Sequence, residues 1–249
     1  MESKRLFDCI EHQLTKFPQE AMFAAKENGA WKKYATTEVA STVNALSAGL
    51  LSLGLSGNDF TPEGSDKIAI ISSNRPEWLM ADMATQQIGV IWVPVYPTTN
   101  PLELTFILND ASVQYMFASN QDLYNKVMSI KDKVPCLKEV YTFDHIPGAK
   151  HWSELCLKDA DLLQQVDVIK KTIPVEQVAT FIYTSGTTGT PKGVMLTHNN
   201  IYFNLQSGKN SFPFPDKPDQ KVLSFLPLNH IFEKVASYIY MYSGMSIYY

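Results

Sequence analysis

The sequence predicts an α/β fold: a mostly parallel sheet with helices on both faces, followed by the start of a second sheet. Three observations carry this prediction. Between Lys67 and Tyr183, short β-branched or apolar runs alternate with stretches of helical periodicity, the rhythm of βαβ units. The run Lys67 to Ser73 is short and β-branched, as a parallel strand buried on both faces requires. A glycine- and threonine-rich loop directly follows the run Ala179 to Tyr183, and ligands of open parallel sheets sit beyond the carboxyl ends of strands.

Residues 1–65 read as an amino-terminal helical segment packing with the later sheet. Within it Val39, Val43, Leu46 and Leu50 fall four, three and four apart, and Gly54 can stop the helix. After the turn-rich SGNDFTPEGSD, Lys67 to Ser73 (KIAIISS) reads as a buried strand, and a helix begins at Pro76. Val90 to Val95 is the next strand. Asn100, Pro101 and Glu103 supply an N-cap, a first turn and a capping box for the next helix. Then follow a strand at Val113 to Ala118, a helix at Asp122 to Ile130, a strand at Glu139 to Phe143 and a polar helical stretch around Ser153 to Lys170. Residues 66–210 thus form an α/β subdomain carrying the loop. Ser211 to Gln220 holds three prolines and reads as a linker. Residues 211–249 read as the start of a second, truncated α/β subdomain, with a strand at Lys221 to Leu226 and a helix at Phe232 to Tyr242.

Of the 249 residues 45% are apolar, enough for one large core or two modest ones. Twenty-one basic against 25 acidic residues leave a formal charge of -4, with no general pull toward nucleic acid or an anionic membrane. A phosphate must therefore be bound by a local site. Cys9, Cys136 and Cys156 lie far apart without metal-ligand spacing, and a reducing cytoplasm is the expected setting. The start of the chain has no signal-peptide or anchor pattern. No stretch reaches the roughly 18 apolar residues of a spanning helix, so any membrane contact is expected to be peripheral, at the inner face. Five of the twelve tyrosines crowd into Val235 to Tyr249, where the sequence stops. Such an ending would expose aromatic surface, and a truncated polypeptide is expected. His12, His145 and His151 are expected at the surface without partners, and Met241 and Met245 in the core.

The loop itself, TSGTTGTPKG, places Gly186, Gly189 and Gly193 among Thr184, Ser185, Thr187 and Thr188, with Thr190 close behind. Glycine lets backbone N–H groups turn toward an anion, and hydroxyls add donors of adjustable direction. Lys192 adds a mobile point charge for terminal phosphates, and Pro191 stiffens the approach to it. A plain Gly/Thr connection fails on density, since ten consecutive residues hold only Gly, Ser, Thr, Pro and one Lys. A Walker loop needs G-x-x-x-x-G-K-[ST], which Pro191 and Gly193 break on either side of the lysine. The dinucleotide fingerprint G-x-G-x-x-G is missing too. Further on, SFLPLNHIFEK (Ser224 to Lys234) begins as a strand and ends as a helix start, with His230 at the junction. On residue chemistry alone His230 is either a satisfied structural histidine or a functional one. Glu233 reads as a helix N-terminal acid favoured by the macrodipole.

From Tyr183 to Gly193 the segment resembles, without a gap, the signature loop of the adenylate-forming superfamily of acyl-CoA synthetases, luciferases and peptide-synthetase adenylation domains. The resemblance implies that the loop, Thr184 to Gly189 with Lys192, binds the β- and γ-phosphates of ATP, and that Thr184 lies near the Mg2+-bound phosphates. LPLxH also matches that superfamily, whose histidine or aromatic there stands beside the carboxylate to be activated. His230 and Lys192 are thereby the candidate catalytic residues. The H-x-x-E form at Glu233, with VPVYPT at Val93 to Thr98, is most similar to long-chain fatty-acid-CoA ligases. Some of these place a tryptophan gate where this sequence has Lys234, so that gate is not carried over. The implied partners are a fatty acid, ATP and coenzyme A. The adenine loop, the ribose aspartate and the mobile-domain lysine that the superfamily also uses have no match here, so the chain is expected to be inactive alone and to need the carboxyl-terminal part of the same enzyme. Other readings are an aryl or amino-acid adenylating ligase and a non-catalytic nucleotide- or acyl-binding module. A P-loop kinase is disfavoured by Gly193, where Ser or Thr should bind the metal.

Overall fold

The computed structural model describes residues 5–27, 29–185, 189–212 and 220–249. In chain order the elements are α1 (Asp8–Lys16), β1 (Phe23–Glu27), β2 (Ala30–Tyr34), α2 (Thr36–Ser52), β3 (Lys67–Ile71), α3 (Pro76–Gln87), β4 (Ile91–Val95), α4 (Pro101–Asp110), β5 (Tyr115–Ala118) and α5 (Gln121–Met128). They continue with β6 (Glu139–Thr142), β7 (Lys150–His151), α6 (Ala160–Thr172), β8 (Val178–Ser185), β9 (Pro191–Thr197), α7 (His198–Ser211), β10 (Lys221–Leu223), α8 (Ile231–Tyr242) and β11 (Ser246–Tyr248).

The expected sheet is present as seven strands in the order β7-β6-β5-β3-β4-β8-β9. All neighbours are parallel except β8 and β9. Period-two alternation divides its two faces. Ile68 and Ile70 of β3 join Trp92 and Phe117 in one core, packed with α2 and α3. Ala69 and Ile71 join Val93, Met116 and Val140 in the other, packed with α4 and α5. Burial of both faces explains the unbroken apolar runs. The second sheet has four strands, β10-β11-β1-β2.

Several sequence expectations are refined. Segment 1–65, expected to be helical, also folds back as the β1–β2 hairpin, which joins β11 in parallel. The hairpin escaped notice because Ala30 to Lys33 are exposed and their pattern does not alternate. The stretch Ser153 to Lys170 is broken: Trp152–Leu155 is a short 3-10 turn, and α6 restarts where the Asp159 carboxylate accepts from Leu162 N–H at 2.9 Å. Asn100 caps α4 by accepting from Glu103 N–H at 3.0 Å. The strand expected at Lys221 to Leu226 ends at Leu223, because Ser224 and Leu226 are held by Asn74, just beyond β3. The linker Ser211 to Gln220 lies largely outside the described residues. The tyrosine-rich segment turns inward: Tyr238, Met241, Tyr242, Met245 and Ile247 are buried. The three histidines expected to lack partners have them. His12 stacks on Tyr242 at 4.0 Å, and His145 stacks on His151 at 3.8 Å.

Candidate active site

The site forms where β8 reaches the carboxyl edge of the first sheet. The β8–β9 register sets Thr184 opposite Lys192 and Ile182 opposite Val194. Directly opposed residues share a face of a ribbon, so the side chains of Thr184 and Lys192, both exposed, project from the same side. On that side Ile182, Thr184, Val194 and Leu196 wall an open cavity of about 800 Å3, flanked by α7 and α8. On the opposite side Phe181 and Tyr183 pack with the α4 core. There the Tyr183 hydroxyl donates to Asp110 at 2.5 Å. Burial, then the neighbouring carboxylate, pushes the Tyr183 phenol well above its usual range.

Two glycines of the loop answer specific needs. Gly189 has φ +83°, the left-handed region that side chains avoid. A Cβ on Gly193 would stand 3.1 Å from Tyr183 Cζ, so the ring position favours glycine. Gly186, Thr187, Thr188 and the side chain of Ser185 lie outside the described residues. The Ser185 backbone is paired with Pro191. Pro191 and Lys192 therefore belong to a strand. Beyond it, Thr197 caps α7 through Asn200 in a capping box, and His198 is buried.

His230 is exposed at the N-cap of α8, and its Nδ1 accepts from Phe232 N–H at 3.2 Å. With Nδ1 an acceptor, Nε2 carries the proton in the neutral ring and is a donor. Its neighbours Ile231 and Phe232 line the same cavity as Thr184. The two motifs thus meet around one space.

The loop before His230 is tied to the carboxyl ends of β3 and β4, through residues the sequence did not flag. Asn74 donates to Leu226 O at 2.6 Å and to Ser224 Oγ at 3.0 Å, and accepts from Leu228 N–H at 2.9 Å. Asn229 donates to Val95 O at 2.7 Å and accepts from Trp78 Nε1 at 3.0 Å. Glu233 is in the first helical turn, as expected, but it is buried and accepts from Ser224 Oγ at 2.6 Å. Burial raises its carboxyl pKa, which the Ser224 bond opposes. Lys234 turns away from the cavity into α3, where Nζ meets Asp82 at 2.9 Å with both side chains fully buried. Desolvation lowers the Lys234 pKa against the pull of Asp82.

Among the described residues no group of three or more His, Cys, Asp or Glu is placed to chelate a metal ion. Thr184 offers one neutral hydroxyl and Lys192 a cation that repels a bare metal ion, so the pair fits phosphate oxygens, and Mg2+ would enter only as a phosphate complex.

The arrangement suits a phosphate-handling site opening on an apolar pocket. Residues 10–249 match the AMP-binding enzyme family, and the chain belongs to it. It is 27% identical over 238 residues to a long-chain-fatty-acid–CoA ligase of Mycobacterium bovis, covering 92% of this chain and 37% of that protein. It is 33% identical over 225 residues to a peroxisomal long chain acyl-CoA synthetase of Arabidopsis thaliana, covering 87% and 30%. The chain thus spans about a third of the length of these relatives. The fold is shared with an anthranilate CoA ligase solved with anthranoyl-AMP, at TM-score 0.79 and 17% identity over 98% of this chain and 44% of that one.

Proposed function

We propose that the protein is an ATP-dependent long-chain fatty-acid–CoA ligase, with these residues forming the phosphate and acyl side of its site. The observation that carries the reading is the apolar cavity of about 800 Å3 with Thr184 on its wall and His230 beside its lining residues. A fatty-acid chain would lie against Ile182, Val194, Val235 and Ile239, and its carboxylate would reach the polar mouth. The carboxylate oxygen attacks the α-phosphorus of ATP, the bond to the bridging oxygen breaks, and pyrophosphate leaves. The coenzyme A thiol, losing its proton, then displaces AMP to give the thioester. Lys192 neutralises charge on the leaving pyrophosphate, the Thr184 hydroxyl adds a hydrogen bond, and His230 Nε2–H orients the carboxylate. Mg2+, when bound, would supply further charge neutralisation at the phosphates. The long-chain relatives support the acyl class, and a cytoplasmic setting with peripheral membrane contact accompanies it.

An aryl acid is the second reading, favoured by the fold shared with the anthranilate ligase. ATP–pyrophosphate exchange with a panel of acids separates them, run on the longest product of its gene, since this chain spans about a third of its relatives' length and is expected to be inactive alone. Fastest exchange with hexadecanoate is expected. Faster exchange with aryl or amino acids would overturn the reading.

A further inference from the structure

We propose that Lys234 and Asn229 are positioning residues for His230, holding it to α3 from both sides; this rests on the role given to His230 above. The residue before His230 is Asn229, only 2% exposed. Its amide is used in both directions, accepting from Trp78 of α3 and donating to the end of β4. One turn after His230, Lys234 N–H bonds the His230 carbonyl at 3.2 Å. The Lys234 side chain ends on Asp82 of α3. Asp82 also accepts from Gln86 Nε2 at 2.7 Å and from Tyr238 OH at 2.8 Å. Lys234 Nζ stands 5.7 Å from the Trp78 ring, which joins the two anchors into one cluster.

A buried ion pair is a costly way to glue two helices, and apolar residues of similar volume commonly do as well or better. What the pair adds is direction. Apolar contacts tolerate a partial rotation of α8, whereas the Asp82 bonds to Lys234 and Tyr238 do not. The opposite face of α8 supplies Ile231, Phe232, Val235 and Ile239 to the cavity wall. Rotation of this helix would therefore displace the imidazole and the wall together. Lys234 fixes that rotation, and Asn229 fixes where the helix begins.

The test is the double variant D82N/K234M in the longest product of the gene. It removes both charges. The amide introduced in place of the Asp82 carboxylate can still accept from Tyr238, and its NH2 meets the Gln86 amide, which turns over to present its unpartnered Oε1 as acceptor. Thermal unfolding, ATP–pyrophosphate exchange and the ring 13C and 15N resonances of His230 are measured. The expected result is a folded variant whose His230 resonances move and whose exchange kcat falls about tenfold to a hundredfold with KM for ATP unchanged. A folded variant with wild-type kcat and unmoved His230 resonances would overturn the proposal. If the longest product of the gene exchanges no acid at all, the functional reading fails, and the His230 resonances still decide the positioning. If the double variant does not fold, W78F tests the other anchor by the same readouts: moved resonances support the proposal, and unmoved ones defeat it.

Discussion

The phenol of Tyr183 donates to the carboxylate of Asp110 across 2.5 Å, tying the last residue of α4 to the strand that enters the glycine- and threonine-rich loop. An acid at a helix C-terminus opposes the macrodipole, so Asp110 is there at some cost to α4. The bond to Tyr183 offsets it. Because Asp110 is exposed, water replaces part of what Y183F removes, and the expected loss is about 1 kcal/mol, read as a lower urea midpoint at unchanged m-value. A tyrosine ultraviolet titration checks the same bond. The difference between the titrations of the wild type and Y183F should show no phenol ionising near pH 10, since the folded pKa of Tyr183 is raised.

Lys192 shares its ribbon face with Thr184 and is exposed. It spends no folding energy on burial, so its removal should affect ligand and not fold. K192A is expected to raise the dissociation constant for magnesium pyrophosphate about tenfold, the loss of one charge-assisted contact, with an unchanged melting temperature. Isothermal titration with magnesium pyrophosphate, without acid or nucleotide, measures it. Equal affinity in the variant would remove Lys192 from the phosphate site.

What the sequence revealed follows from where its signals are local. β3 and β4 are buried on both faces, so IAII and IWVPV are apolar without a break and read as parallel strands. The glycine- and threonine-rich loop stood out because its residues are contiguous. β9 was not, because PKGVMLT continues that loop in composition and becomes a strand only by pairing with β8. The anchors of His230 were hidden for another reason. Trp78 and Asn229 are 151 positions apart, and nothing in either neighbourhood marks them as partners. Glu233 was read as a dipole-favoured acid because its partner Ser224 faces it only once Asn74 has turned the loop. The cavity depends on how α7 and α8 splay from the β8–β9 ribbon, which no periodicity records.

His198 gives a pH prediction. It is fully buried, its Nδ1 accepts from Leu6 N–H at 3.3 Å, and its ring meets Phe7 edge-on at 5.6 Å. Burial, then Lys234 and Arg5, depress its pKa from 6.5 to about 3. Below pH 6.5 the unfolded chain binds a proton that the folded chain refuses. Stability is therefore full above 6.5 and is lost as the pH falls toward the folded value, at about 1.4 kcal/mol per pH unit. Between pH 6.5 and 5 the expected loss is about 2 kcal/mol, measured by urea unfolding. H198N should flatten that slope, and an equally steep slope in the variant would assign the acid lability to other groups.

Val235 tests the cavity. It is half-buried on the face of α8 that lines the space between that helix and the β8–β9 ribbon. Lys234 points the other way, so a larger side chain at 235 would extend into the cavity and leave the α3 contacts in place. V235F fills part of the volume that a long acyl chain would need. Each methylene excluded costs about 0.8 kcal/mol of burial, so displacing two should raise KM for hexadecanoate about tenfold. A short acid that never reaches Val235 should exchange as in the wild type. Chain-length series of ATP–pyrophosphate exchange make the comparison. If long and short acids respond alike, the cavity between α7 and α8 is not where the acyl chain lies, and the fatty-acid reading loses the observation that carries it.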